Sequence, residues 1–373
     1  MNVEKEEHNT DSKGGSKGVY NPFEHRKVEK PNSDIRSTAN LIKASLGSGL
    51  LAGPLAFSNA GWGIGIVGTI LVGVICGHCI HILVKTSRGC CIAERKPLLG
   101  YAETCKSVFK NGPKGARPFA NIASLFAEFS LMCTYVGVCC IYTVLIGDSI
   151  KQLFDKYVPS VVLPVEYYCL IILIPLCLMC QIKYLKWLAI FSMLANILLF
   201  VTYLFCLYYI FNGEMNYSDK KAIGNPARYP AFLSPAICAK VCIALSIFFT
   251  YPLQFYVVID IYTKYTDPRI NPKYKVVTQV AARVIGVCCC VGIGIALPLL
   301  EQIINIVGAA FYSILGLIIP ATIETVFRWH HLGKYNWILW KNSFIVLFGL
   351  LCLISGCTVT ILDIIKIQHS KTM

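Results

Sequence analysis

Residues 43–61 read KASLGSGLLAGPLAFSNAG, an apolar run of the length a membrane helix needs, interrupted at Gly47, Ser48 and Gly49 and again at Gly53 and Pro54. Glycine weakens a helix entropically, and proline removes a donor from its ladder. In hydrocarbon an irregular backbone is tolerated only where it is buried in protein or lines a cavity, because each unsatisfied amide costs several kcal/mol. Two readings of the stretch follow. Small residues can admit a neighbouring helix, or the helix is broken around a bound solute, aiming amides at an anion and carbonyls at a cation. Gly53 and Pro54 favour the break.

The rest of the chain shares this solvent. Of its 373 residues 55% are hydrophobic and only 14% charged, with mean hydropathy +0.60, against roughly 25% charged residues in a soluble domain. The apolar residues come in blocks that match the roughly 20-residue crossing of a bilayer core. Blocks at 41–60, 63–84, 119–147, 163–181, 185–211, 236–261, 277–299, 302–327 and 341–365 predict an all-α polytopic membrane protein of about nine transmembrane helices. Residues 1–37 are polar and read as a disordered cytoplasmic tail, residues 38–366 as the transmembrane domain and 367–373 as a short C-terminal tail.

Positive charge orients the bundle, since short loops rich in Lys and Arg stay in the cytoplasm. Lys27, Lys30 and Arg36 precede the first span, and the loop after the second carries Lys85, Arg88, Arg95, Lys96, Lys106 and Lys110. Lys183, Lys264, Lys273, Arg328, Lys334 and Lys341 fall on the same side. The N-terminus is therefore expected in the cytoplasm and the C-terminus outside or in a lumen. Most of the +14 net charge serves this topology, so nucleic acid is not an expected partner and the lipid bilayer is.

Nineteen cysteines would mean a disulfide scaffold in a small secreted chain. Here nearly all lie inside spans, as in Cys139–Cys140 and Cys288–Cys289–Cys290, where they read as small apolar packing residues. His78 and His81 have a spacing that could hold a metal, but no carboxylate or cysteine accompanies them at ligand spacing, and a polar face inside the bundle is the preferred reading. No phosphate-binding loop, zinc-protease or nucleophile-elbow motif occurs. Neither an enzyme nor a cofactor or metal is called for.

The segment TANLIKASLGSGLLAGPLAFSNAG, together with GHCIHILVK, GVCCIYTVL, LAIFSMLAN, SIFFTYPLQFYV and LIIPATIE in that order, resembles the proton-coupled amino acid transporters, a branch of the amino acid/auxin permeases. The resemblance implies a five-plus-five inverted-repeat fold with spans 1 and 6 broken at the substrate. It places Gly47, Ser48 and Gly49 at the first break, with backbone groups of Ser45, Gly47, Ser48, Gly49 and Leu50 holding a small neutral amino acid. Two departures stand out. Asn40 occupies the position where many relatives have a titratable histidine, which leaves proton, sodium and uncoupled alternatives open. Glu128, in the third span, is then the candidate ion-coupling carboxylate, its alternative being a residue snorkelling at the cytoplasmic end.

The second departure lies between residues 211 and 246. ARYPAFLS (227–234) resembles the opening of span 6, yet it runs straight into PAICAKVCIALSIFFTYPL, so two spans of the family fold are expected to be absent and the second repeat incomplete. The functional alternatives are transport of small neutral amino acids, or a non-transporting role in regulation or amino acid sensing, with a longer family member as partner. Glu94 to Leu99 (ERKPLL) fits an acidic dileucine sorting pattern, which leaves a lysosomal or vacuolar location beside the plasma membrane.

Asn216-Tyr217-Ser218 is a glycosylation sequon in the loop after span 5, on the side opposite the Lys- and Arg-rich loops. A cysteine placed at 216 in surface-localised protein is expected to react with an impermeant reagent in intact cells. Labelling only after permeabilisation would reverse the orientation.

Overall fold

The computed structural model describes residues 20–25, 61–157, 163–182, 185–212, 229–296 and 304–372. Among them the regular structure is entirely helical: α1 (Trp62–Glu94), α2 (Tyr101–Asn111), α3 (Ala120–Tyr157), α4 (Val165–Cys180), α5 (Leu185–Asn212), α6 (Tyr229–Thr266), α7 (Lys275–Ala296), a π-helical stretch at Val307–Tyr312 and Ile314–Ile318, α8 (Ile319–Phe327) and α9 (Trp337–Thr372). Six helical runs are long and apolar enough to cross a membrane, and Val165–Cys180 and Met193–Phe205 are shorter apolar helices. Each predicted span from 63–84 onward thus falls on a helix. The first, 41–60, lies outside the described residues.

Of the opening stretch only Gly61 is described, and it explains how that stretch ends. Its φ of +78° lies in the region that L side chains rarely adopt, and its carbonyl accepts from Gly65 N–H at 2.9 Å to begin α1. No atom lies within 4 Å of where a Cβ would stand. Backbone conformation, not crowding, selects glycine here.

Several helices outrun the apolar blocks that announced them. α1 continues ten residues beyond the predicted end at 84, to Glu94, because hydropathy measures hydrocarbon thickness whereas a helix stops where its last carbonyls are capped. Arg95 supplies that stop in the left-handed conformation (φ 52°), its N–H donating to Ile92 O while Lys96 N–H donates to Cys91 O. The loop read after the second span contains a further helix, α2. Glu103 begins it by accepting from Gly100 N–H at 3.1 Å, and Ala102, Cys105 and Val108 form its buried face.

Two compact units emerge, one of residues 1–131 with 308–373, the other of residues 132–307. In the first, α8 packs against α1, α2 and α9. A small-residue face lets α9 close on the segment before α8: a Cβ on Gly349 would stand 2.9 Å from Ile318 Cγ1, and Gly356 abuts Ala309. In the second, α4, α6 and α7 surround a core of Cys139, Leu176, Tyr251, Phe255, Val287 and Cys290, so these cysteines do pack as small apolar residues. α5 lies along α6, where Phe191 stacks on Phe249 at 5.6 Å and Ser246 Oγ donates to Ala195 O at 2.7 Å.

The dileucine pair is split by this folding. Leu98 is 65% exposed, but Leu99 is 7% exposed and packs with Cys90, Cys91, Ala102 and Cys105. Leu99→Ala is therefore expected to lower stability by about 2 kcal/mol or more, and Leu98→Ala to leave it nearly unchanged, as read by thermal unfolding of the purified protein in detergent. Equal effects would contradict the packing of Leu99.

Candidate functional site

Charge inside an apolar bundle is costly and marks the places to look. In the first unit a polar cluster forms where α8 ends and α9 begins. Glu324 is 5% exposed, and its Oε2 accepts from Lys341 Nζ at 2.8 Å. Arg328 Nε stands 3.7 Å from Oε1, one helical turn on. Beside the ion pair, Asn342 Nδ2 donates to Thr325 Oγ1 at 3.0 Å, and Thr325 Oγ1 donates to Ala321 O at 2.9 Å. His78 on α1 has Lys341 and Glu324 as its charged neighbours, and its buried Nε2 has no hydrogen-bond partner among the described residues.

The local sequence explains why this hairpin is held so firmly. Pro320 is the second residue of α8 and lies inside the continuous helical run Ile304–Phe327, where its missing N–H removes one bond of the ladder. Just before it the backbone is π-helical, a widened form frequent at functional sites. Tyr101 from α2 donates its hydroxyl to Leu315 O in that stretch at 2.7 Å. Burial pushes the Tyr101 phenol well above its ordinary value, so the donor stays protonated, and burial likewise pushes the Cys105 thiol up to about 12. Gly89 and Gly112 admit the end of α8: a Cβ at either would come within 2.6 Å of Phe327 Cζ or 2.7 Å of Val326 Cγ1. A cavity of about 430 Å³ remains between these elements, with Glu324 in its wall.

The expected site residues distribute differently. Ser45, Gly47, Ser48, Gly49 and Leu50, with Asn40, lie outside the described residues, as does Asn216. Glu128 is described: it sits on α3 in the first unit, 6% exposed, beside Ala127, which belongs to the core with Val108 and Ile323. A carboxylate buried to that extent is not a snorkelling surface group. His78 and His81 share α1, and among the described residues no three His, Cys, Asp or Glu side chains gather as a metal site would require.

Glu324 and Lys341 were missed as a pair. Glu324 was visible at the end of LIIPATIE, yet it served only the resemblance, and Lys341 was counted as a loop charge that sets topology. The structure puts Lys341 on α9, four residues into the helix, with its charge committed to Glu324. An apolar run that ends in an acid, followed at hairpin distance by one that opens with a lysine, was the available signal.

A buried carboxylate left without its cation is expensive, whereas removing both charges together is often tolerated. Glu324→Gln and Lys341→Met are each expected to cost about 3 kcal/mol or more, and the double variant less than the sum of the two. Thermal unfolding of all three in detergent measures the coupling. Additive losses would mean that the pair contributes nothing of its own.

Comparison with known proteins fits this bundle. The family described as transmembrane amino acid transporter protein matches residues 30–234 and 227–362. The proton-coupled amino acid transporter-like protein pathetic of Drosophila melanogaster is 29% identical over 418 residues, covering 93% of this chain and 88% of the relative. Amino acid transporter AVT3C of Arabidopsis thaliana is 25% identical over 129 residues, 35% of this chain and 28% of the relative. No solved structure matches. With a match across nearly every apolar helix and a polar cluster held inside the first unit, the chain belongs to the transmembrane amino acid transporter protein family, a family of transporters and not of enzymes.

Proposed function

We propose that this protein carries small neutral amino acids across a membrane, with the zwitterion held by backbone groups of Ser45, Gly47, Ser48, Gly49 and Leu50. The observation that carries the reading is the family match on both halves of the chain. A site built of glycine, serine and unwound backbone supplies donors for a carboxylate and acceptors for an ammonium, and leaves little room for a charged side chain. Glu128 is the proposed ion-coupling group, and the name of the Drosophila relative, a proton-coupled amino acid transporter-like protein, supports the proton as the ion. Residues 38–366 form the transport domain, with the N-terminus in the cytoplasm and the C-terminus outside or in a lumen. The membrane is lysosomal or vacuolar, or the plasma membrane. Leu99 is buried, so the ERKPLL stretch does not present two exposed leucines in support of the former.

A second reading has its own support. Residues 227–234 fall in both pieces of the family match, as they would if the family pattern stopped and resumed there. The aligned stretch with the Drosophila relative is 418 residues long yet draws on 93% of a 373-residue chain. That leaves the relative with unmatched residues enough for two membrane helices of about 20 residues and their loops. A form lacking two spans would not complete the substrate cavity alone. It would act with a longer family member, or bind amino acids without moving them.

Uptake of radiolabelled amino acids into proteoliposomes separates the two readings. The purified chain alone is expected to give weak uptake, and co-reconstitution with a longer family member to give saturable uptake together with co-purification. Robust saturable uptake by the chain alone would overturn the second reading. Absence of both uptake and association would overturn both.

A further inference from the structure

The cavity in the first unit is lined on one side by a stripe of α1 and on the other by the end of α8 and the residues that follow it. His81, Lys85 and Arg88 are spaced i, i+4 and i+7, so they share one helix face, and all three line the cavity. Arg328, His330 and His331 line it from the opposite wall. Glu324 is the one carboxylate among the described lining residues; its Oε2 is held by Lys341 at 2.8 Å and its Oε1 stands 3.7 Å from Arg328 Nε. Lys85 and Arg88 have no acidic partner among the described residues; Arg88 instead lies 5.4 Å over the Phe23 ring. The walls between are apolar, from Ile82, Val108 and Phe327, with Asn111 and Ser107 as neutral polar groups.

A topological role accounts for positive charge at the end of a span but not for its convergence on a concave wall. The volume of about 430 Å³ lies within the range of roughly 300–1,000 Å³ seen for small-molecule sites. Guanidinium and ammonium groups facing one space recognise phosphate oxygens through charge-assisted hydrogen bonds, and basic pockets between membrane helices take phosphorylated headgroups. The geometry points to a binding site for a phosphomonoester-bearing anion, with Lys85 and Arg88 on one wall and His330 and His331 on the other. None of the lining residues belongs to the expected amino acid site at residues 45–50, and all of them lie in the first unit.

The same chemistry is offered by a membrane lipid headgroup and by a soluble polyphosphate, and an experiment on the full chain distinguishes them. Purified protein in phosphatidylcholine nanodiscs is titrated with a phosphoinositide, with a soluble inositol polyphosphate and with inorganic phosphate, and thermal unfolding is followed, since a ligand that binds only the folded state raises the melting temperature. The phosphorylated inositol ligands are expected to stabilise the protein. K85Q/R88Q is expected to weaken their apparent affinity about tenfold or more, K85R/R88K to retain it, and K151Q, on α3 in the second unit, to behave as the wild type. Stabilisation by the phosphoinositide alone identifies a lipid site, and equal stabilisation by the soluble headgroup identifies a soluble anion. Should K85Q/R88Q fail to fold, H330Q/H331Q tests the opposite wall with the same expected loss. No stabilisation by any of the three ligands, or unchanged affinity in both double variants, would overturn the proposal.

Discussion

Hydrocarbon provides no water to solvate an amide or a hydroxyl, and a polar group left unsatisfied there costs several kcal/mol. Many of the polar side chains among the described residues answer this constraint locally. Thr143, Thr202, Thr250, Thr322 and Thr360 each turn the hydroxyl back to the carbonyl four residues earlier, at 2.7 to 3.0 Å. Such bonds satisfy the side chain within its own helix and let it face any neighbour. A few other hydroxyls join helices, as when Ser246 reaches Ala195 and Tyr101 reaches Leu315. Cysteine meets the same demand: small, nearly apolar and only a weak donor, it fills the core beside Tyr251 and Phe255 at little polar cost.

Charges face a stricter version of the rule. Glu324 is tolerated because Lys341 lies 2.8 Å away and Arg328 completes its surroundings, so the end of α8 and the start of α9 are tied by one strong local contact rather than by apolar packing alone. That tie sits next to a π-helical stretch, where the backbone departs from the regular ladder. Transport needs elements with two discrete arrangements. An ion pair beside an irregular helix is a contact that can be broken and remade as a unit, unlike the diffuse packing of α5 on α6.

Family membership and the physical reading meet at the junction between α5 and α6. The two helices pack directly on each other, through an aromatic stack and a hydroxyl–carbonyl bond. A chain shortened between them would thus still bury those faces, and would have a physical route to a folded second unit. What it would lose is the solute cavity, which in a broken-helix transporter is shared between the two repeats.

Much of the fold was legible because its driving force is one-dimensional. A block of apolar residues long enough to cross a bilayer must become a helix, since no other local structure satisfies its backbone there, and so the spans from 63–84 to 341–365 could be read directly. The family could be read too, from motifs such as LIIPATIE and SIFFTYPLQFYV in order. Helix ends, the amphipathic α2 and the fate of Leu98 and Leu99 could not, because caps and burial at the interface leave no mark on hydropathy. The pairing of Glu324 with Lys341 left only an acid and a lysine flanking one hairpin as its trace, and the convergence of Lys85 and Arg88 with the end of α8 left none. A helix bathed in lipid is apolar on its outer face as well as its inner one, so the sequence carries no periodicity to say which side meets protein. It determined the solvent, the spans and the family, and only the packing of helices decided which polar groups meet.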